Sequence, residues 1–213
     1  MKLIGSYSCP FVRKISVILL EKNLPFTLVH AVDNTLSSAI NPLGSAPVLI
    51  DAQGESHSHP SLIAEYLEWL QPEPALLPAD ARDALRVKEW AALADGVTSA
   101  ALALVSECRR SADAQQEQRL WQHRARLRSG LDALEQGAAE GRWLNASLLS
   151  VADVAVACML GFINVRRLMP NWCIDHPALV AMADRLFSRE SFARTLPPAT
   201  AGLYSDETIA ARV

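Results

Sequence analysis

The chain has 213 residues, half of them hydrophobic and a fifth charged, with a formal net charge of −3. That length suits one large domain or two small ones, and the apolar share is enough for a packed core, which excludes intrinsic disorder. The charge balance gives no pull towards nucleic acid or an anionic membrane surface, so neither is expected as a partner.

The longest apolar run, residues 154–163, is roughly half of what a bilayer crossing needs. The N-terminal apolar stretch is broken by Ser8, Cys9 and Pro10, then by Arg13 and Lys14, and does not read as a signal peptide. The expected location is the cytoplasm. There the four cysteines, Cys9, Cys108, Cys158 and Cys173, none in CxxC spacing, are expected as free thiols. All but Cys9 read as small buried hydrophobes.

In chain order, residues 2–6 form a short apolar strand. Residues 10–22 read as a helix, with Phe11, Ile15, Ile18 and Leu19 at helical spacing and Pro10 in the first turn. Residues 26–30 are strand-like, and 31–41 read as a loop with one helical turn. Val48, Leu49 and Ile50 make a buried strand. A turn at 51–54 leads to a short polar strand over 55–59, and a helix follows over 61–70. The first strand, helix and second strand imply a parallel pair, and the later hairpin adds an antiparallel one, so the sheet is mixed and four-stranded. Pro72, Pro74 and Pro78 then mark a linker.

Beyond it the chain is all-helical by pattern, over about 80–109, 115–137, 151–167 and 178–188. The expected domains are 1–75, α/β, and 76–213, all-α. Ser150 and Asp153 have the spacing of a capping box that opens a helix apolar all round, the buried centre of the second domain.

Three local signals carry chemistry. Ser8 and Cys9 precede the first helix, whose N-terminal N–H groups and dipole favour a thiolate; simple helix capping is the alternative. Ala46-Pro47-Val48 enters a core strand through a proline, which is either an ordinary trans start or a cis bond that opens a neighbouring backbone to a peptide-like ligand. The third is the turn before the helix after Pro60, another helix N-terminus that offers an anion site. His57 and His59 alternate on the short polar strand after Glu55, and an exposed polar edge is preferred over a metal site there. Trp121, Arg124 and Arg128 read as a helix face.

With these residues in order, the whole chain resembles the soluble glutathione S-transferases: a thioredoxin-like first domain followed by a helical second one. The turn 8–14, Ser-Cys-Pro-Phe-Val-Arg-Lys, resembles the family's Ser-x-Pro turn. The segment 41–49, Asn-Pro-Leu-Gly-Ser-Ala-Pro-Val-Leu, resembles the segment that holds its cis proline, and Ile63, Tyr66 and Leu67 its next helix. The turn and the 187–193 tail are most similar to bacterial YibF-like members.

The resemblance implies an enzyme that binds glutathione as co-substrate, lowers its thiol pKa, and presents the thiolate to a small electrophile or disulfide held by the helical domain. It implies no metal and a homodimer. Ser8 matches the thiol-activating serine of theta-like members, and Cys9 the disulfide-forming cysteine of omega-like ones. With Val12 in place of a second cysteine, any exchange is monothiol, as thiol transferase or dehydroascorbate reductase. Pro10, Phe11, Ala46, Pro47 and Val48 are the implied glutathione contacts, with Val48 pairing its backbone to the cysteinyl unit.

The sequence departs from the family at its γ-glutamyl grip, where His59 and Pro60 replace an acidic residue and a serine. Pro60 has neither hydroxyl nor N–H, which leaves His59 or Ser61 to compensate. Asp95 matches the acidic residue that reaches the glutathione amine from a partner subunit. Val97, Ala101 and Val105 are either electrophile-pocket or core positions. The other reading is a non-catalytic interaction or scaffold protein of the same fold.

Overall fold

A computed structural model describes residues 1–30, 40–141, 143–144 and 148–198. The first domain comprises β1 (Lys2–Ile4), α1 (Pro10–Glu21), β2 (Thr27–Val29), β3 (Val48–Ile50), β4 (Ser56–Ser58) and α2 (Pro60–Leu70). The sheet order is β2-β1-β3-β4, with β1 parallel to β2 and antiparallel to β3, and β3 antiparallel to β4. This is the expected mixed four-stranded sheet. β3 has the expected bounds, β1, β2 and β4 are shorter than the sequence pattern suggests, and His59 falls outside β4. The loop expected over 31–41 lies almost wholly outside the described residues.

The second domain comprises α3 (Ala81–Cys108), α4 (Glu117–Ala139), α5 (Val151–Val165), α6 (Trp172–Asp175), α7 (Pro177–Phe187) and α8 (Glu190–Ala193). Asp80 caps α3, its carboxylate accepting from the N–H groups of Arg82 (2.9 Å) and Asp83 (3.0 Å). At the start of α5, Asp153 Oδ2 accepts from Ser150 N–H (2.8 Å) and Oγ (2.6 Å), and its Oδ1 takes Leu144 N–H (2.9 Å). These bonds tie the helix start to the chain before it. The short α6 and α8 escape pattern reading because one helical turn holds too few residues to show a period.

By length and composition α3 is apolar enough to cross a membrane, which the search for an unbroken apolar run misses. Its apolar side packs on α4 and α5, and half of its most apolar window is buried there. Val97, Ala101 and Val105 are buried in that packing, so they are core positions. Of the cysteines expected inside, Cys158 is buried, Cys108 is half-buried and Cys173 is exposed; all are free thiols.

The domains are joined by buried polar contacts as well as by apolar packing of α1 on α5. Lys14 on α1 meets Asp95 on α3 through both carboxylate oxygens, at 2.7 and 2.9 Å. Lys22, fully buried, pairs with Glu68 (2.8 Å) and donates to the carbonyls of Gln71 (2.7 Å) and Pro74 (3.0 Å). The proline linker is therefore fastened to the first domain, while Leu76 O accepts from Val151 N–H of the second (3.0 Å). Glu21, at the end of α1, holds Arg189 through two bonds of 2.8 and 2.7 Å and Ser191 Oγ at 2.5 Å.

Candidate functional site

Residues Ile4, Val48 and Ser58 lie side by side across the sheet. That row sets the site. The chain leaving β1, the chain entering β3 and the chain leaving β4 all emerge along one edge. The sheet register thus brings together the Gly5–Pro10 turn, the Ala46-Pro47 segment and the His59–Ser61 helix start, which are distant in sequence.

The first turn is closed by Cys9 N–H donating to Ser6 O (2.9 Å). Ser6 Oγ accepts from Ser8 N–H (3.3 Å) and lies 3.4 Å from Ser8 Oγ, as a donor to it. The contact is long, so the Ser8 hydroxyl can turn its hydrogen towards a ligand. Ser6 is a supporting residue that sequence reasoning missed, since one more serine in a turn carries no signal. Gly5 has φ +144°; a side chain there would collide with Val12, and its Cβ would stand 3.3 Å from Ala46 Cβ. The absence of that side chain lets the Ala46 segment close against the turn.

Cys9 is the N-cap of α1 but makes no side-chain capping bond. Burial pushes its thiol above the ordinary value, and the opposing influence of the Val12 and Phe11 amides does not offset it. The thiolate expected from the helix terminus is therefore not favoured here: desolvation outweighs the dipole. Pro10 is buried at the first helical position, and Phe11 is half-buried beside it.

The Ala46–Pro47 bond is cis. Asn41, nearly buried, holds the preceding loop: its Nδ2 donates to Ser45 O (2.8 Å) and Oγ (3.0 Å), and its Oδ1 accepts from Leu43 N–H (3.1 Å). Val48, read as the backbone partner of a ligand, is flanked by β1 on one side and β4 on the other. Ala46 lies outside the ladder, and among the described residues its backbone has no hydrogen-bond partner. The open backbone is thus at Ala46, two residues earlier than the sequence suggests.

His59 is exposed and has φ +78°, ψ 121°, a sparsely populated conformation for a residue with a side chain. Pro60 follows as the first helical residue, and Ser61 is exposed in the first turn. The first turn of a helix leaves its N–H groups without intrahelical partners, so the Ser61 N–H and hydroxyl remain as donors where Pro60 has none. Asp95 is bound to Lys14 of its own chain and is 18% exposed at the side chain. It is not brought to this edge by any described contact.

His57 differs from the exposed edge residue expected. It is half-buried, stacked on Tyr66 with 4.0 Å between ring centroids, and 3.3 Å from Asp51 Oδ2. Asp51, Glu55 and His57 have ligand atoms within 4.8 Å of one another and could hold a metal. Asp51 is the member that sequence reasoning missed, because the hairpin and not the spacing brings it near. Its oxygens already accept from Tyr66 OH (3.0 Å) and from the N–H groups of Gln53 (2.9 Å) and Glu55 (2.8 Å).

Comparison with known proteins covers both domains. Residues 3–75 match the family described as Glutathione S-transferase, N-terminal domain, and residues 88–181 match Glutathione S-transferase, C-terminal domain. The chain is 43% identical over 201 residues to the GST-like protein YibF of Escherichia coli, covering 93% of this chain and 99% of that one. Among solved structures, a glutathione S-transferase from Methylobacillus flagellatus with GSH bound superposes with a TM-score of 0.87 at 34% identity, over 92% of this chain and 99% of that one. One from Methylobacterium radiotolerans in complex with glutathione sulfonate gives 0.88 at 31% identity, over 92% and 94%.

Proposed function

This chain belongs to the glutathione S-transferase family, and from that premise we propose that it binds glutathione along the shared sheet edge and conjugates its sulfur to an electrophile. The observation that carries this is the convergence at one edge of the Ser8 hydroxyl, an Ala46 backbone without a partner among the described residues, and the Ser61 helix start. Ala46 suits a strand-like pairing with the cysteinyl unit, and Ser61 with His59 suits the γ-glutamyl carboxylate. The glutathione thiol gives its proton to solvent and the Ser8 O–H donates to the sulfur anion. A hydrogen bond to a charged group is worth about 1.5–3 kcal/mol, enough to draw the thiol pKa down by one to two units. The sulfur then attacks the electrophile: the S–C bond forms, and the leaving group departs with its electron pair.

The second reading is monothiol disulfide exchange at Cys9. The Cys9 thiolate attacks a glutathione mixed disulfide and expels the other thiol as its thiolate. A second glutathione then releases Cys9 as oxidised glutathione forms. Burial of the Cys9 thiol weighs against it as the main activity. A homodimer fits the exposure of Leu62 (63%) and Trp69 (74%), seven residues apart on α2, with Leu85 (57%) on α3.

The experiment that tests the function is calorimetric titration with reduced glutathione. Micromolar to low-millimolar binding supports the enzyme. No binding at several millimolar means that Pro60 has removed the grip, and the scaffold reading takes its place.

A further inference from the structure

A small cavity of about 10 Å³ lies beside Ser8 at the junction of the two domains, lined among others by Arg13, Cys158 and Phe162. It has room for one water molecule. Arg13 reaches it from α1. The residue is 4% exposed, yet among the described residues it has no carboxylate partner. A buried cation is costly unless it is paired and hydrogen-bonded. Of its N–H donors, Nε donates to Thr195 Oγ1 (3.5 Å) and Nη2 to Phe192 O (3.4 Å), both at the long end of the range. Nη1 has no acceptor among the described residues.

The side chain is nevertheless held in one place. Its guanidinium lies against the rings of Phe187 and Phe192, at 5.8 and 5.5 Å from their centroids. Gly161 on the otherwise buried α5 makes room for it, since a Cβ there would stand 2.5 Å from Arg13 Nη1. The groups packed around it do not cancel its charge. Cys158 of α5 stays neutral: burial pushes its thiol up to about 12, although Arg13 and Lys14 pull it down. Lys14 is paired with Asp95 of α3, and Glu21 at the far end of α1 with Arg189 of the chain before α8. Arg166, from the end of α5, brings a second cation to the cavity wall.

We propose that Arg13 is a positioning residue of the transferase: it holds one water in the cavity, and that water, bonded to Ser8 Oγ, aims the Ser8 hydroxyl hydrogen at the glutathione sulfur. The inference deepens the transferase reading and rests on it. Arg13 N–H donates to the water, the water donates to Ser8 Oγ, and the Ser8 O–H donates to the sulfur anion. Each donor in such a chain strengthens the next, and the positive charge at its head fixes its direction. The Ser8 hydroxyl needs this guide, because its contact with Ser6 Oγ, at 3.4 Å, is too long to orient it. No proton changes hands along the chain; the thiol proton leaves to solvent.

The test titrates the thiol of enzyme-bound glutathione through the ultraviolet absorbance of its thiolate. The same titration with S-methylglutathione is subtracted, which removes Cys9, Tyr7 and the other titrating groups of the protein. Arg13→Met keeps an apolar stem between the phenylalanines. It is expected to raise the pKa of the bound thiol by about one unit and to lower kcat/KM for an aryl halide about tenfold at neutral pH. The loss should fade as the pH rises, with glutathione affinity within about threefold of the wild type. Gly161→Ala keeps the charge but displaces Nη1, so the same rise is expected, and it decides the matter if Arg13→Met does not fold. In a Ser8→Ala background, Arg13→Met should add less than about 0.3 unit, because the chain has lost its last donor. An equal rise with and without Ser8 overturns the proposal, since the charge then acts on the sulfur directly. Glutathione bound with an unmoved thiol pKa overturns the role of Arg13 alone. Glutathione that does not bind the wild type overturns the transferase reading and the proposal with it.

Discussion

Ser8 and Cys9 are neighbours with different chemical prospects. The Ser8 hydroxyl makes only a long bond with Ser6 Oγ, which leaves it able to turn towards a ligand. The Cys9 thiol is held in its neutral form by burial. Ser8→Ala is expected to lower kcat/KM for an aryl halide about 10- to 100-fold, with glutathione binding within about threefold, in steady-state kinetics and calorimetry. Cys9→Ser is expected to leave conjugation nearly unchanged and to abolish any disulfide exchange, measured with a glutathione mixed disulfide. The sequence made Ser8-Cys9-Pro10 visible as a turn before a helix. It could not rank the two residues, because desolvation depends on what the fold packs around the turn.

At the scale of elements, α2 begins with a position that cannot donate and follows a residue at φ +78°. Pro60→Ser returns an N–H and a hydroxyl to that turn, and calorimetry is expected to show glutathione binding about tenfold tighter. At the other end of the domain, α1 is tied to α8 by Glu21 with Arg189 and Ser191. Burial alone would raise the Glu21 pKa; the bonds from Arg189 and Ser191 and the Arg189 charge more than offset it and hold it below its ordinary 4.5. The tie therefore contributes fully above that value and is lost as the pH falls through the lower folded value. Urea midpoints measured from about pH 7 to about pH 3 are expected to fall less steeply in Glu21→Gln than in the wild type. Long elements such as α1 and α3 were legible because their periodicity spans several turns. Val48 stands inside the ladder and Ala46 outside it because strand pairing, not the proline, decides which backbone is left open.

Across the whole molecule, the two domains share buried charge. Lys14 was legible only as a basic residue after a turn, and Asp95 only as a family position; their pairing depends on α1 packing into the helical domain. The side chains are 3% and 18% exposed. Asp95→Asn leaves the Lys14 charge uncompensated and is expected to cost about 3–5 kcal/mol, read as a lower urea midpoint in a single transition common to both domains.

The linker has a consequence for how such a protein diverges. Lys22 and Glu68 grip its start, Leu76 binds the head of α5, and α8 returns to the end of α1. A helical domain grafted from a relative would have to supply its own partners for Leu76 O, for Glu21 and for Arg13. Exchanging the helical domain as a cassette would therefore break contacts on both sides of the junction, whereas replacing side chains in place would keep them.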